Sequence, residues 1–305
     1  MKNPLFYAKI LLFGEYGIIE NSKGLTIPYN FYQGALKFEP SEIAEQSNAH
    51  LKNYAKFLEE NFAETFNTKY FSEDVENGMY FDSNIPQGYG VGSSGALVAA
   101  IYDKYAYNKI DINNHLNKEK ISELKTLFGQ LESHFHGKSS GIDPLICYMN
   151  IPLLIQSKDD ISTIGLPSAN VNGKGAVFLI NSGTPGETAP MIHIFFEKMK
   201  KEGFRKTLKE EFIKYNNACI ENFVKGEYNP LFANLQKLSA WGYEHFRPMI
   251  PQKLVNAWKT GIDTDTYYLK LCGSGGGGYV LGFTQDYDKA KSYLKDFQTE
   301  VIYKF

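Results

Sequence analysis

Cysteine is scarce. Cys147, Cys219 and Cys272 are the only three in 305 residues, widely spaced and with no C-x-x-C pair. An odd, scattered set argues against a disulfide framework and makes reduced thiols in a cytoplasmic protein the simplest reading. Net charge is small as well, −2, which leaves no electrostatic footprint for nucleic acid or an anionic membrane surface. No apolar run approaches the roughly 20 residues that span a bilayer. Met1-Lys2-Asn3-Pro4 leads straight into a strand-like run without a signal-peptide pattern. Internal repeats and low-complexity linkers are lacking too. What is present is length for two domains or one large one, and core material: 43% of residues are hydrophobic, which argues against disorder.

The densest signal is Pro86-Gln87-Gly88-Tyr89-Gly90-Val91-Gly92-Ser93-Ser94-Gly95. The short apolar segment Met79 to Phe81 leads into it. A helical pattern leaves it, with Leu97, Ile101 and Tyr105 on one face. Alternating glycines allow a tight turn close to a ligand, and the free N–H groups of a helix start favour an anion, most often phosphate. Walker A is excluded, because Gly92 stands where that pattern needs lysine. Gly90-Val91-Gly92-Ser93-Ser94-Gly95 fits G-x-G-x-x-G, with Asp111 at a dinucleotide-like distance. However, Ile110-Asp111-Ile112, followed by Asn113-Asn114, makes a poor second strand. A glycine turn without a ligand remains the plain alternative.

Several residues around this loop invite two readings. Leu5 to Phe13 reads as a strand that contains Lys9, either snorkelling to the surface or held inside a site by an anion. Gly14-Glu15-Tyr16-Gly17 reads as a turn, with Ile18-Ile19 as a short second strand, and strand character runs from Gly24 to Phe38. Ser41 to Phe66 reads as a helix with Leu51, Tyr54, Phe57 and Leu58 on one face. The helix marked by Ile121, Leu124, Leu127, Phe128, Leu131 and Phe135 carries Glu132 near its end. In the small-residue loop His136 to Pro144, Asp143 and Pro144 read as N-cap and N1 of the next helix, or Asp143 belongs to a site. His134 and His136, two apart on a helix, point away from each other and read as structural.

Farther on, Leu153 to Gln156 reads as a strand and Asp159 to Pro167 as a loop, with a domain boundary near Ser168. The second part reads as a strand over Ala176 to Asn181 and helices over about 207–224, 230–245 and 251–260. Two more strands, Tyr267 to Cys272 and Tyr279 to Phe283, flank the loop Gly273 to Gly278. A helix over Asp286 to Phe297 and a last strand over Glu300 to Phe305 complete an α+β arrangement with an antiparallel sheet.

Three motifs in one order carry a resemblance: Lys9-Ile10-Leu11-Leu12-Phe13-Gly14-Glu15, Pro86 to Ser94, and Lys270-Leu271-Cys272-Gly273-Ser274-Gly275-Gly276-Gly277-Gly278. Together they resemble the GHMP kinases, named for galactose, homoserine, mevalonate and phosphomevalonate kinases, nearly end to end. Phe13-Gly14-Glu15, the loop His136-Gly137-x-x-Ser140-Gly141-Ile142-Asp143 and the preceding Glu132 look most like the mevalonate branch.

The resemblance implies a two-domain GHMP kinase fold. Residues 1–168 would form a ribosomal protein S5 domain 2-like N-terminal domain and residues 169–305 a ferredoxin-like C-terminal one, with the active site in the cleft between them. It implies ATP and Mg2+ as cofactors and mevalonate, phosphorylated on its C5 hydroxyl, as the small-molecule substrate. Lys9 and Asp143 would be catalytic, and Ser94 and Glu132 would hold the metal. Pro86, Gly88, Gly90, Val91, Gly92, Ser93, Ser94, Gly275 and Gly276 would bind nucleotide, and Glu15, Tyr16 and Thr184 would contact substrate. Two positions depart from the family pattern. Tyr7-Ala8 replaces Pro-Gly before the lysine, and Tyr16 replaces the histidine that touches the substrate's carboxylate side. Another member of the family (phosphomevalonate kinase, a sugar kinase or diphosphomevalonate decarboxylase) is the alternative, and a nucleotide-binding regulator on the same fold is the non-enzymatic one. A homodimer is left open.

Overall fold

The structure is a computed structural model that describes residues 4–38, 42–112 and 116–305. Residues 1–3, Ser41 and Asn113-Asn114, which the sequence reading touched, lie outside the described residues. By compactness the chain forms two units: Met1–Lys9, Pro28–Pro86 and Gly92–Ile151 in the first, and Ile10–Ile27, Gln87–Val91 and Pro152–Phe305 in the second. Strands β1 (Phe6–Phe13) and β2 (Gly24–Phe38) each run from one unit into the other. The fold is mixed helix and sheet, α+β as the sequence implies.

In the first unit α1 (Glu42–Phe62) and α2 (Thr68–Glu76) precede β3 (Met79–Ser83), which pairs antiparallel with β2 from Gly34↔Ser83 to Phe38↔Met79. Then come α3 (Ser93–Tyr105), α4 (Lys118–His136) and α5 (Ile142–Met149). The expected face of α1 is confirmed for Leu51, Tyr54 and Leu58. Helix α3 buries Ile101 and Tyr105 of its expected stripe, leaves Leu97 half-buried, and buries residues outside the stripe as well. Ala96, Val98, Ala99, Ala100, Ile101, Tyr102 and Tyr105 are all buried, so it is surrounded rather than half-exposed. Small residues make that possible, and one contact depends on a glycine: a Cβ on Gly95 would lie 2.8 Å from the backbone of Asp143.

Three rings lock these helices. Tyr102 of α3 meets Phe128 of α4 edge-on at 5.0 Å and Tyr148 of α5 at 5.1 Å, and Phe128 meets Tyr148 at 5.7 Å. Edge-to-face pairs of this kind add about 0.5–1.5 kcal/mol each beyond area burial. They fix the relative placement of the three helices that carry Ser94, Glu132 and Asp143.

The second unit holds the start of β2, which pairs with β4 (Leu153–Ser157) over Gly24↔Ile155 to Thr26↔Leu153. β4 turns back into β5 (Asp160–Thr163), with β6 (Ala176–Asn181) next in the chain. Helices α6 (Thr188–Met199) and α7 (Glu202–Thr207), a π-helical turn (Leu208–Phe212), α8 (Ile213–Lys225), α9 (Tyr228–His245) and α10 (Val255–Thr264) follow. β7 (Tyr267–Leu271), β8 (Tyr279–Thr284), α11 (Tyr287–Tyr293) and β9 (Thr299–Lys304) close the chain. The four strands form an antiparallel sheet in the order β7-β8-β6-β9.

Some elements correct the sequence reading. Ile18-Ile19 is part of a 3₁₀ turn (Gly17–Glu20), not a strand. Ile19 N–H bonds Tyr16 O, and Asn21 at φ 61 ends the turn after too few residues to pair with a neighbour. Asp159 to Pro167 is not all loop, because Ile161 is buried opposite Ile155 and makes β5 a strand. α5 begins at Ile142 with Gly141 as its cap residue, so Asp143 is inside the first turn and is not the N-cap. The last helix is shorter than expected, ending at Tyr293.

Candidate active site

Lys9 lies in a strand buried at six of its eight positions. Its side chain is 5% exposed, and its ammonium sits 2.8 Å from Asp143 Oδ2, so it does not snorkel. Asp143 is placed by the packing of α5 on Gly95 and keeps 39% of its side chain accessible. A buried ammonium needs a charge partner to remain charged without a heavy desolvation penalty, and this carboxylate supplies it.

Gly92 caps α3 in the left-handed region at φ 83. A Cβ there would be 2.9 Å from Lys9 Cγ and 3.4 Å from Cys147 Sγ, so the loop backbone lies against the lysine stem. Cys147 is buried beneath, with Sγ 3.7 Å from Gly92 O. Burial, with Asp143's charge as a smaller cause, pushes its thiol pKa up and keeps it neutral.

At the second residue of α3, the Ser94 hydroxyl donates to Glu132 Oε1 at 2.8 Å, and Ser139 donates to Oε2 at 2.5 Å. Glu132 is 4% exposed. Burial first, and the charge of Asp143 second, raise its pKa to about 7; the two serine hydrogen bonds and Lys9 pull the other way. The first unit therefore gathers Lys9, Asp143, Ser94 and Glu132 as two adjoining polar pairs, with Ser93 beside them at the helix start and Pro86 at the loop's entry.

Among the described residues no group of three His, Cys, Asp or Glu side chains could hold a metal. An all-oxygen set of one carboxylate and one hydroxyl nevertheless suits Mg2+, which keeps several waters and takes phosphate oxygens for the rest. Glu132 and Ser94 fit that demand.

In the second unit the loop stretch Gln87–Val91 is tied by its backbone. Gly186 N–H bonds Gly88 O at 2.7 Å, and the Tyr89 ring packs edge-on against Tyr279 at 5.1 Å, with Val91 buried. The third glycine loop is anchored likewise: Gly276 N–H bonds Met249 O, and Gly278 N–H bonds Thr184 O, each at 2.7 Å. Gly275 and Gly276 both have positive φ.

The substrate-side expectations meet bonded groups. Glu15 is buried and ion-paired with Lys270, whose pKa burial pulls down to about 7. Tyr16 is 7% exposed and stacked on Phe195 at 4.7 Å, and its hydroxyl donates to Ser274 O at 2.6 Å. Burial raises its pKa, so it stays a neutral donor whose proton is already engaged. Thr184 has an exposed side chain, while its carbonyl accepts from Gly278 and Ser182.

Sequence reasoning passed over Lys270, Ser139 and Cys147. Lys270 carries the same signal as Lys9, a lysine within an apolar strand, here Tyr-Tyr-Leu-Lys-Leu. Ser139 is one of several small polar residues in its loop, and nothing in the sequence singles it out.

Residues 50–150 match the family model described as the GHMP kinases N terminal domain. No curated protein matches the sequence. Among solved structures, L. major mevalonate kinase in complex with R-mevalonate aligns with TM-score 0.64 and 17% identity, covering 97% of this chain and 90% of that one. Streptococcus pneumoniae phosphomevalonate kinase in complex with phosphomevalonate and AMPPNP gives 0.62 and 13%, over 99% and 100%. Lactococcus lactis galactokinase complexed with galactose gives 0.59 and 13%, over 98% and 92%. At these identities the likeness establishes the fold.

Proposed function

We propose, for a chain whose residues 50–150 match the model of the GHMP kinases N terminal domain, that it is an ATP-dependent kinase of a small-molecule alcohol, with mevalonate as substrate and its C5 hydroxyl as acceptor. The observation that carries this is the Lys9–Asp143 ion pair at 2.8 Å beside the Ser94–Glu132 pair at 2.8 Å. A pure nucleotide binder has no use for a half-accessible carboxylate held against a buried lysine.

In this reading Asp143 accepts the proton of the attacking hydroxyl as its oxygen forms the new bond to the γ-phosphorus. The bond from that phosphorus to the bridging oxygen breaks, and ADP leaves with the electron pair. Lys9, in contact with Asp143, offsets charge that builds on the incoming oxygen and phosphoryl group. Backbone N–H groups of Gly88 to Ser94 bind phosphate oxygens. Glu132 and Ser94 would hold Mg2+, which when bound neutralises phosphate charge. Gly275 and Gly276 would bind nucleotide. Glu15 and Tyr16, buried and bonded, would shape the substrate site, and Thr184 would touch substrate or phosphate.

One observation favours a second reading, another alcohol within the same family. Tyr16 replaces the histidine of the family pattern, and its hydroxyl donates to the Ser274 carbonyl rather than to a substrate carboxylate. Among the described residues no helix is long and apolar enough to cross a membrane, and Cys147, Cys219 and Cys272 are buried free thiols. The free thiols support a cytoplasmic location. The test is a panel of acceptors (mevalonate, phosphomevalonate, galactose, homoserine) with ATP and Mg2+, each product identified by mass. A phosphorylated mevalonate supports the first reading, and a different phosphorylated alcohol replaces it with the second.

A further inference from the structure

Glu132 is held at both oxygens by hydroxyls from different parts of the first unit. Ser94, on α3, donates to Oε1 at 2.8 Å, and Ser139, in the loop between α4 and α5, donates to Oε2 at 2.5 Å. Ser139 is itself fixed. Its Oγ accepts from Gly141 N–H at 3.0 Å, and its carbonyl oxygen lies 3.1 Å from where a Cβ on Gly129 would stand, one turn before Glu132 on α4. The loop is therefore pressed back over the helix, bringing the hydroxyl onto the carboxylate. Ser139 is the donor that Oε2 of this carboxylate, 4% exposed, has among the described residues, and losing it leaves a buried acceptor unmatched.

From this geometry we infer that Ser139 is a positioning residue for the metal: it clamps the second oxygen of Glu132 so that Oε1, beside Ser94, is presented in one orientation. The inference rests on the kinase reading and on Glu132 as the metal's holder, and it adds a residue that acts through Glu132. Outer partners of metal-binding carboxylates set ligand orientation, and their loss costs about 10–100-fold in metal affinity. The same loop leads into Gly141 and Asp143, so a general loosening has to be told apart from a loss of metal positioning.

The test compares wild type with Ser139→Ala and Ser139→Thr. Calorimetry measures binding of a non-hydrolysable ATP analogue over a Mg2+ series, and turnover is followed over the same series. Ser139→Ala should raise the Mg2+ concentration for half-maximal analogue binding by about tenfold or more. Its kcat at saturating Mg2+ should fall by much less, and Ser139→Thr, which keeps the hydroxyl, should lie near wild type. An unchanged Mg2+ dependence in Ser139→Ala overturns the proposal. So does an equal fall of kcat at every Mg2+ concentration, which is the mark of loop loosening. Analogue binding by wild type that ignores Mg2+ overturns it as well. If wild type phosphorylates no alcohol yet the Mg2+ shift in analogue binding is present, the clamp stands and the kinase reading falls.

Discussion

The ammonium of Lys9 lies 2.8 Å from Oδ2 of Asp143, with the lysine buried and the aspartate partly open to solvent. The asymmetry bears on function. A pair that served stability alone would gain nothing from leaving one partner accessible, whereas a proton acceptor has to be reached. The buried member holds the carboxylate in place, and the accessible member meets the acceptor.

Gly92 is the first place to disturb this pair without touching it. At φ 83, an alanine would be strained by about 1–3 kcal/mol, and its Cβ would stand 2.9 Å from Lys9 Cγ. Gly92→Ala should lower stability by that amount in a urea melt and reduce kcat as the lysine is displaced. Wild-type values for both would mean that loop and lysine yield independently.

Glu132 makes stability depend on pH in a definite direction. Folding raises its pKa from 4.5 to about 7, so between those values the folded state binds more protons than the unfolded one. Stability contributed by this residue is therefore full below about pH 4.5 and falls as pH rises towards 7. Glu132→Gln removes the effect. In melts without divalent ions, the Tm of the variant relative to wild type should climb from pH 5 to pH 8. Parallel curves would show that Glu132 is not held protonated. The same variant should raise the Mg2+ requirement of turnover.

The Glu15–Lys270 ion pair is buried on both sides in the second unit. Removing one partner of such a pair leaves an uncompensated charge and costs about 3–5 kcal/mol, whereas replacing both with apolar groups is often near neutral. Lys270→Met should therefore be strongly destabilising, and Glu15→Leu combined with Lys270→Met should recover most of the loss. Additive losses in a urea double-mutant cycle would contradict the pairing.

Much of the architecture was legible in the sequence, for particular reasons. β2 spans the Gly24 to Phe38 segment the sequence marks, and the burial of Lys9 follows from its apolar neighbours. α2 and α6 passed unnoticed: α2 is mostly polar, and α6 has Pro190 in its first turn, where proline is tolerated. The pair Asp143-Pro144 imitated a helix start, but the cap belongs to Gly141, because its left-handed backbone starts the helix one residue before the aspartate. The hydroxyl of Ser139 and the carbonyl that engages Tyr16 depend on tertiary contacts, which no local pattern encodes.

The central claim is that Asp143 takes the acceptor's proton while nucleotide is held elsewhere. The most direct measurement is steady-state turnover of Asp143→Asn on the best acceptor of the panel, alongside its affinity for ATP. Loss of a general base should lower kcat by about 10²–10⁴ and leave nucleotide affinity within a few-fold of wild type. Near-normal turnover in Asp143→Asn would contradict the account and leave that aspartate as no more than the ion-pair partner of Lys9.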